Sequence, residues 1–159
     1  MEIRNIDEVL REALEDPAVA IKHGIVIKGQ TMGYHVAEIG KQVQAHVHFN
    51  GDEFYHVLSG EGEMNIGEVK KGMKVIRTNW EAPVKVKEND VFIVPERYAH
   101  SLVNKGKERL VIAFVCPASH LEDMGDRYIL NNPPERLTDT RSAKLGLLNV
   151  GSIGKKNAW

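Results

Sequence analysis

The middle of the chain, residues 20–117, is a succession of short runs rich in valine, isoleucine and other β-forming residues. Turn residues such as Asn50-Gly51 and Asn89-Asp90 end these runs at regular intervals. Many short strands separated by turns are typical of antiparallel sandwiches and barrels. No helical pattern lies between consecutive runs, although a parallel sheet would need such crossovers. The sequence therefore predicts a single all-β barrel or sandwich over residues 20–117.

Residues 5–16 follow a different, helical pattern. Asn5 and Glu8 have the spacing of a capping box, in which each side chain accepts a hydrogen bond from the other residue's backbone N–H. Apolar side chains recur behind them at helical spacing, and Pro17 ends the pattern. We expect a short amphipathic helix within an N-terminal segment, residues 1–19, that packs on the barrel or on a second subunit.

The last part of the chain, residues 118–159, carries fewer signals. Ser119 and Glu122 form a second capping-box pattern, and Gly125 can end a short helix there. Several apolar residues follow, among them Trp159, and they would be exposed in a free tail. We therefore expect an ordered C-terminal arm that covers either its own barrel or that of a partner.

Composition narrows the class of protein further. The 21 Lys and Arg residues nearly balance the 22 Asp and Glu residues, which argues against a nucleic-acid partner. The single cysteine, Cys116, excludes an internal disulfide, and its position at the end of an apolar run predicts a buried, inert thiol. No apolar run approaches the roughly 20 residues that span a membrane, so we expect a cytoplasmic protein without a membrane partner.

The seven histidines are the main chemical signal of the sequence. His46 and His48 stand two residues apart in a strand-like run, so their imidazoles point to the same face. The Asn50-Gly51 turn can return the chain so that Glu53 lies beside them, and His100 arrives from a later run. Imidazoles together with a carboxylate suit a divalent transition metal, and an octahedral ion would keep positions open for water or substrate.

The spacing of these residues resembles the two sequence motifs of the cupin family. The first motif is matched by Gly40, His46, His48, Glu53 and Gly60. The second is matched by Pro95, His100 and Asn104. The resemblance implies a cupin-type double-stranded β-helix, a jelly-roll barrel, over about residues 20–117. It also implies a homodimer, and a divalent transition metal (Fe, Mn, Zn or Ni) bound by His46, His48, Glu53 and His100.

Two positions depart from the second motif. Asn89 replaces its first glycine, and because asparagine tolerates left-handed backbone, we expect the turn to survive. Arg97 replaces the middle glycine, in the loop just before His100. On the surface this arginine would simply be solvated, whereas at the barrel mouth it would bind a carboxylate or phosphate of the substrate.

The three candidate catalytic residues are Tyr55, Arg97 and Tyr98. Tyr55 shares the strand face of Glu53, and Tyr98 adjoins Arg97 in the loop. Gln44, which should point the same way as the first histidine of the pair, is a candidate for orienting that ligand.

The remaining signals are more often structural. His56 lies three residues after Glu53, so strand parity places it on the opposite face. The stretch over residues 67–83 looks like an added hairpin or loop in which Trp80 packs. His120 follows the last run, close enough to reach the barrel mouth, although the pattern alone does not place it there.

The resemblance leaves the reaction open, because cupins include dioxygenases, decarboxylases, isomerases and non-enzymatic binders. One hypothesis is a metalloenzyme acting on a small polar or anionic substrate. A dioxygenase would need Fe(II) and a fairly apolar pocket, whereas a sugar or phosphosugar isomerase would need a cation for the anion and a base near the metal. The alternative is a non-enzymatic ligand-binding or regulatory cupin with a structural metal.

Overall fold

A computed structural model of the 159-residue chain describes residues 1–71, 76–120 and 126–133. The described part is mostly antiparallel β-structure, with one short α-helix near the N-terminus and one turn of 3-10 helix. In chain order the elements are α1 Ile6–Glu12, β1 Leu14–Asp16, β2 Ile21–Lys28, β3 Met32–Ile39, β4 His46–His48, β5 Glu53–Ser59, β6 Glu61–Lys71, β7 Ile76–Trp80, β8 Val84–Lys87, β9 Val91–Val94, β10 Tyr98–Asn104, β11 Leu110–Pro117, the 3-10 helix Ala118–His120, and β12 Arg127–Ile129.

The strands form two antiparallel sheets that face each other. One sheet has the order β1-β2-β3-β11-β5-β9, and the other has the order β12-β4-β10-β6-β7, with β8 also paired to β6. Because side chains alternate along each strand, the inner faces contribute a continuous apolar core between the sheets. Residues such as Ile39, Val57 and Leu102 fill this core and are almost fully buried. This is the predicted jelly-roll barrel, a cupin-type double-stranded β-helix.

The N-terminal helix is shorter than its sequence pattern. Asn5 caps it as expected, and its side-chain oxygen accepts hydrogen bonds from the backbone N–H groups of Asp7 and Glu8. The helix ends at Glu12, because Leu14–Asp16 pairs with β2 instead of adding another helical turn. The prediction of a helix up to residue 16 is therefore wrong at its C-terminal end, where strand pairing overrides the local apolar spacing.

A glycine lets this helix lie directly on the barrel. A Cβ atom at Gly24 in β2 would come within 2.6 Å of the Val9 side chain. Val9 packs with Val26 and Val36 in a small apolar cluster on the outer face of the first sheet. The helix therefore covers one end of that face and leaves the rest of it uncovered.

The backbone departs from ordinary strand geometry at the two altered motif positions. Asn89 has a φ of 70° and Arg97 a φ of 66°, both in the left-handed region that glycine favours. The turns survive at both positions, as predicted for Asn89. The predicted hairpin after the first motif is also present, formed by β6 and β7.

Part of the C-terminal arm completes the second sheet. Arg127–Ile129 forms β12 and pairs with β4, so that Ile129 lies opposite His46 and Arg127 opposite His48. The short helix predicted between Ser119 and Gly125 falls mostly on residues 121–125, which lie outside the described residues, as do residues 134–159. Within the described residues, no helix is long and apolar enough to cross a membrane.

Candidate metal centre

The four predicted metal ligands meet inside one end of the barrel. His46 and His48 project from β4, and His100 of β10 lies directly opposite His46 in the sheet. Glu53 begins β5 in the facing sheet, after the turn at Gly51, where φ is 86° and only glycine fits easily. The two sheets of the sandwich thus bring the imidazoles and the carboxylate together.

Distances within the cluster match a compact ligand set. One donor atom each from His46, His48 and Glu53 lie within 4.8 Å of one another. His100 Nε2 lies 3.1 Å from Glu53 Oε2, and the His46 and His100 ring centroids are 4.2 Å apart. All four side chains are buried. This His/Glu cluster can hold a metal ion, because metal–nitrogen and metal–oxygen bonds of about 2.0–2.2 Å span such gaps.

Backbone carbonyl groups fix which ring nitrogen of two histidines faces the cluster. His46 Nδ1 donates to the backbone oxygen of Gln44 at 2.9 Å, and His100 Nδ1 donates to that of Tyr98 at 3.2 Å. Each ring therefore keeps its Nε2 lone pair for an ion. Gln44 orients His46 through its main chain, while its side-chain amide donates to the backbone oxygen of Leu130.

The cluster has more acceptor lone pairs than hydrogen atoms to satisfy them. A bound cation would satisfy the lone pairs that are left over. The Tyr55 hydroxyl lies 3.0 Å from Glu53 Oε2 and 3.3 Å from His100 Nε2, and it has one hydrogen for the two of them. Glu53 Oε2 and His100 Nε2 would otherwise face each other as two acceptors. The donor set therefore fits a divalent metal ion, which would attract both atoms at once.

Burial and neighbours set the charges of these groups. Burial lowers the pKa of His46 to about 3 and holds that of His48 well below its usual value, so both rings are neutral at pH 7. Burial alone would raise the pKa of the Glu53 carboxyl, but the imidazoles of His48, His100 and His120 hold it well below its usual range. The cluster is thus ready to bind a cation without first losing protons from these groups.

A fourth imidazole joins the cluster from the C-terminal side. The 3-10 helix places His120 with its Nδ1 atom 3.2 Å from Glu53 Oε1, and its ring stacks on that of His48 at 3.9 Å. Its Nε2 atom lies 2.8 Å from the backbone oxygen of Asn50 and 3.2 Å from Asp126 Oδ2. The sequence pattern could not place His120, because it follows the last barrel strand across a turn with no periodic signal.

Asp126 is a second residue that the sequence pattern missed. Its Oδ1 atom accepts a hydrogen bond from the backbone N–H of Phe49, which fixes the carboxylate beside β4. Its Oδ2 atom lies 3.2 Å from His120 Nε2 and 3.9 Å from His48 Nδ1, and this nitrogen of His48 has no hydrogen-bond partner. Asp126 thus lies beside the two stacked imidazoles of His48 and His120, on the edge of the His48 ring away from the cluster.

The cluster opens on a buried cavity of about 50 Å³. A water molecule needs roughly 10–15 Å³ by this measure, so the cavity has room for about three waters or a small ligand beside an ion. Its remaining walls are mainly apolar, formed by Val19, Ile21, Val43, Met64, Leu102, Ile112 and Phe114. Such a cavity favours a small ligand with few polar groups.

Of the three candidate catalytic residues, one lines this cavity and two lie outside it. Tyr55 lines it, next to Glu53. Arg97 is exposed, lies 3.6 Å from the Glu96 carboxylate and is not among the lining residues, so the structure does not bring it to the cluster. Tyr98 is half-buried, packs against the core and contributes its backbone oxygen to His100.

A different arginine lines the cavity. Arg127 of β12 is partly buried there, and its guanidinium lies 2.8 Å from Asp16 Oδ2 in β1. The ion pair joins the two terminal segments across the mouth of the barrel. Sequence reasoning did not single out Arg127, because nothing in its local pattern shows that β12 pairs with β4.

Comparison with known proteins agrees with this architecture. Residues 33–116, more than half of the chain, match the family described as the cupin domain. Among curated proteins, no sequence matches the chain.

Solved structures similar to this chain share its fold at low sequence identity. A predicted oxalate decarboxylase from Thermotoga maritima has a TM-score of 0.56 at 17% identity, over 72% of this chain and 96% of that one. The polyketide cyclase RemF from Streptomyces resistomycificus has a TM-score of 0.53 at 15% identity, over 74% and 79% of the two chains. An uncharacterized protein with a double-stranded β-helix domain from Klebsiella pneumoniae has a TM-score of 0.52 at 20% identity, over 72% and 88%. These structures show the fold that the chain shares with them, and the sequence match over residues 33–116 shows that the chain belongs to the cupin family.

Proposed function

We propose that the protein is a metalloenzyme in which His46, His48, Glu53 and His100 bind a divalent transition metal. The observation that carries the proposal is the position of this cluster at the wall of a cavity. A structural metal site is normally closed by its protein ligands, whereas a catalytic site keeps a position open for water or substrate. When bound, the metal would supply a Lewis-acid or oxygen-binding centre.

Tyr55 is the residue best placed to act on a ligand in the cavity. Burial raises the pKa of Tyr55 well above its usual value, and the negative charge of Glu53 raises it further. Its hydroxyl therefore stays protonated at neutral pH and acts as a hydrogen-bond donor, not as a base. In this role it would orient an oxygen atom of a ligand held next to the cluster.

The cavity walls favour oxidoreductase chemistry of the dioxygenase type over isomerisation. Most of the lining side chains are apolar, which suits a small substrate and keeps water away from the centre. An isomerase acting on a phosphosugar would need a cation for its anionic group. Arg127 is the candidate, but it already pairs with Asp16, and Arg97 lies outside the cavity.

The test uses the Fe(II)-loaded protein and two small probes, nitric oxide and oxalate. We expect nitric oxide to give the EPR signal of a ferrous nitrosyl complex, and oxalate to change that signal, because open positions face the cavity. Val43→Phe, which fills the cavity wall, should keep the iron and lose the response to oxalate. Full iron loading with no response to either probe would contradict the enzyme proposal and favour a structural metal.

We also propose that the protein is a homodimer, as the family resemblance implies. The outer face of the first sheet carries a row of apolar side chains, one from each of five neighbouring strands: Ile93, Phe54, Val115, Tyr34 and Ile27. With strands about 4.8 Å apart, the row is about 19 Å long. Phe54 and Ile93 are 49% and 44% exposed, and a second copy of the chain would bury them.

The dimer is tested by light scattering after size-exclusion chromatography. The wild-type protein should have twice the 17.8 kDa mass of the chain, and Ile93→Lys should shift it to a monomer. Val84→Lys changes an exposed valine on the other sheet and should leave the dimer intact. A monomeric wild type, or an Ile93→Lys variant that remains dimeric, would contradict this arrangement.

A further inference from the structure

Donor atoms around the cavity form more than one set that can hold an ion. In the described residues, three sets of residues each bring together one donor atom per residue, with these atoms within 4.8 Å of one another: His46, His48 and Glu53; His48, His120 and Asp126; Glu53, Cys116 and His120. The first set belongs to the metal site proposed above. The other two include residues that this site does not use.

The set of His48, His120 and Asp126 has the wrong geometry for an ion. The two rings are stacked with their centroids 3.9 Å apart and only 11° between their planes. An imidazole binds a metal along a lone pair that lies in the ring plane. Two parallel stacked rings therefore cannot both direct a lone pair at one ion.

The set of Glu53, Cys116 and His120 has no such conflict. The Nε2 atom of His120 faces the backbone oxygen of Asn50, which can only accept, so Nε2 carries a hydrogen. The neutral ring then directs its Nδ1 lone pair at Glu53 Oε1, another acceptor, only 3.2 Å away. Two acceptors at this distance need a positive charge between them.

Cys116 supplies a third donor atom beside this pair, and both Cys116 and His120 line the cavity. A metal ion held by the three residues would supply the positive charge that the two acceptors need.

We propose that Glu53, Cys116 and His120 form a second metal position, beside the first, for a thiophilic divalent ion such as zinc. Glu53 can serve both positions, since its Oε2 atom faces His100 while its Oε1 atom faces His120. The inference rests on the proposed first site only through this shared carboxylate. A thiolate ligand favours zinc over harder ions such as magnesium and calcium.

The thiol itself would change state on binding. Burial raises the pKa of Cys116, so in the metal-free protein it stays protonated and unreactive. A coordinated thiol loses its proton outright. Filling the second position therefore releases the thiol proton of Cys116 to solvent and leaves a metal–thiolate bond, which has a distinctive absorption spectrum.

The test is an anaerobic titration of the chelator-stripped protein with Co(II), which replaces zinc and is coloured. We expect about two equivalents to bind, as two sets of protein ligands provide. One of them should produce a thiolate-to-cobalt charge-transfer band in the near ultraviolet. Cys116 is the only cysteine of the chain, so this band can have no other source in the protein.

Variants separate the two positions. Cys116→Ser and His120→Ala should each abolish the band and reduce binding to about one equivalent, whose visible spectrum also shows that the barrel has folded. His56→Ala, which changes an imidazole on the outer face of β5, should leave both equivalents. One equivalent without the band in the wild type would overturn the second position alone. No cobalt binding at all would also reject the first site.

Discussion

Replacing His48 by alanine should abolish metal retention and all metal-dependent stabilisation. A ligand at 1,000 times its dissociation constant stabilises the folded protein by about 4 kcal/mol, which raises the Tm of a domain of this size by about 10 °C. The variant should show neither gain, because it loses one donor nitrogen and the ring that stacks on His120. Elemental analysis and thermal unfolding, with and without added Zn(II) or Mn(II), measure the effect.

Two further variants make this result specific. His48→Gln keeps most of the side-chain volume, so it reports loss of the ligand and not loss of packing. His56→Ala removes a half-buried imidazole that faces away from the cluster on β5, and should retain full metal content. A folded His48→Gln variant that binds metal as tightly as the wild type would refute the assignment of this ligand.

The metal-free protein should lose several kcal/mol of stability between pH 7 and pH 5. His23 and His35 form a buried pair, with His23 Nε2 2.8 Å from His35 Nδ1, and stack against each other and Phe114. Burial lowers the pKa of His23 to about 4 and that of His35 to about 3. In the unfolded chain both rings bind protons below a pKa of about 6.5.

The direction of this pH dependence follows from the number of protons that the folded and unfolded states bind. Between pH 6.5 and pH 4 the unfolded state binds more protons than the folded state, so the free energy of unfolding falls as the pH falls. Each histidine contributes about 1.4 kcal/mol per pH unit, which amounts to about 4 kcal/mol for the pair at pH 5. That is a large fraction of the free energy of unfolding of a typical domain, which is about 5–15 kcal/mol.

Urea unfolding at a series of pH values measures this dependence. The double variant His23→Gln/His35→Gln cannot bind these protons, and should lose about 4 kcal/mol of the difference between pH 7 and pH 5. His56→Gln serves as the control, since its ring is only half-buried in the folded state. An unchanged pH dependence in the double variant would show that the pair is not the source.

The strands, and most of the residues that meet in the His/Glu cluster, could be predicted because their signals are local. His46 and His48 lie on one face by strand parity alone, and Glu53 follows a turn whose geometry Gly51 fixes. His100 is distant in sequence, and its place came from the spacing that it shares with cupins. The barrel itself followed from the frequency of turns between short β-rich runs.

The residues that sequence reasoning missed depend on pairing between distant segments. The sequence pattern of Leu14–Asp16 is helical, yet the segment forms a strand because it pairs with the free edge of β2. Arg97 occupies a promising position in the motif, but the direction of an exposed side chain depends on the loop around it. Arg127 reaches the cavity, and Asp126 reaches His48 and His120, because β12 pairs with β4, and no local pattern encodes that pairing.

The pairing of β12 with β4 also sets a limit on how this protein can be divided. The stretch recognisable as a cupin domain, residues 33–116, includes His46, His48, Glu53 and His100 but stops before His120 and Asp126. A chain trimmed to that stretch would keep the four proposed metal ligands while losing two groups that contact them, His120 and Asp126. The unit that is recognised by sequence is therefore smaller than the unit that builds the cavity.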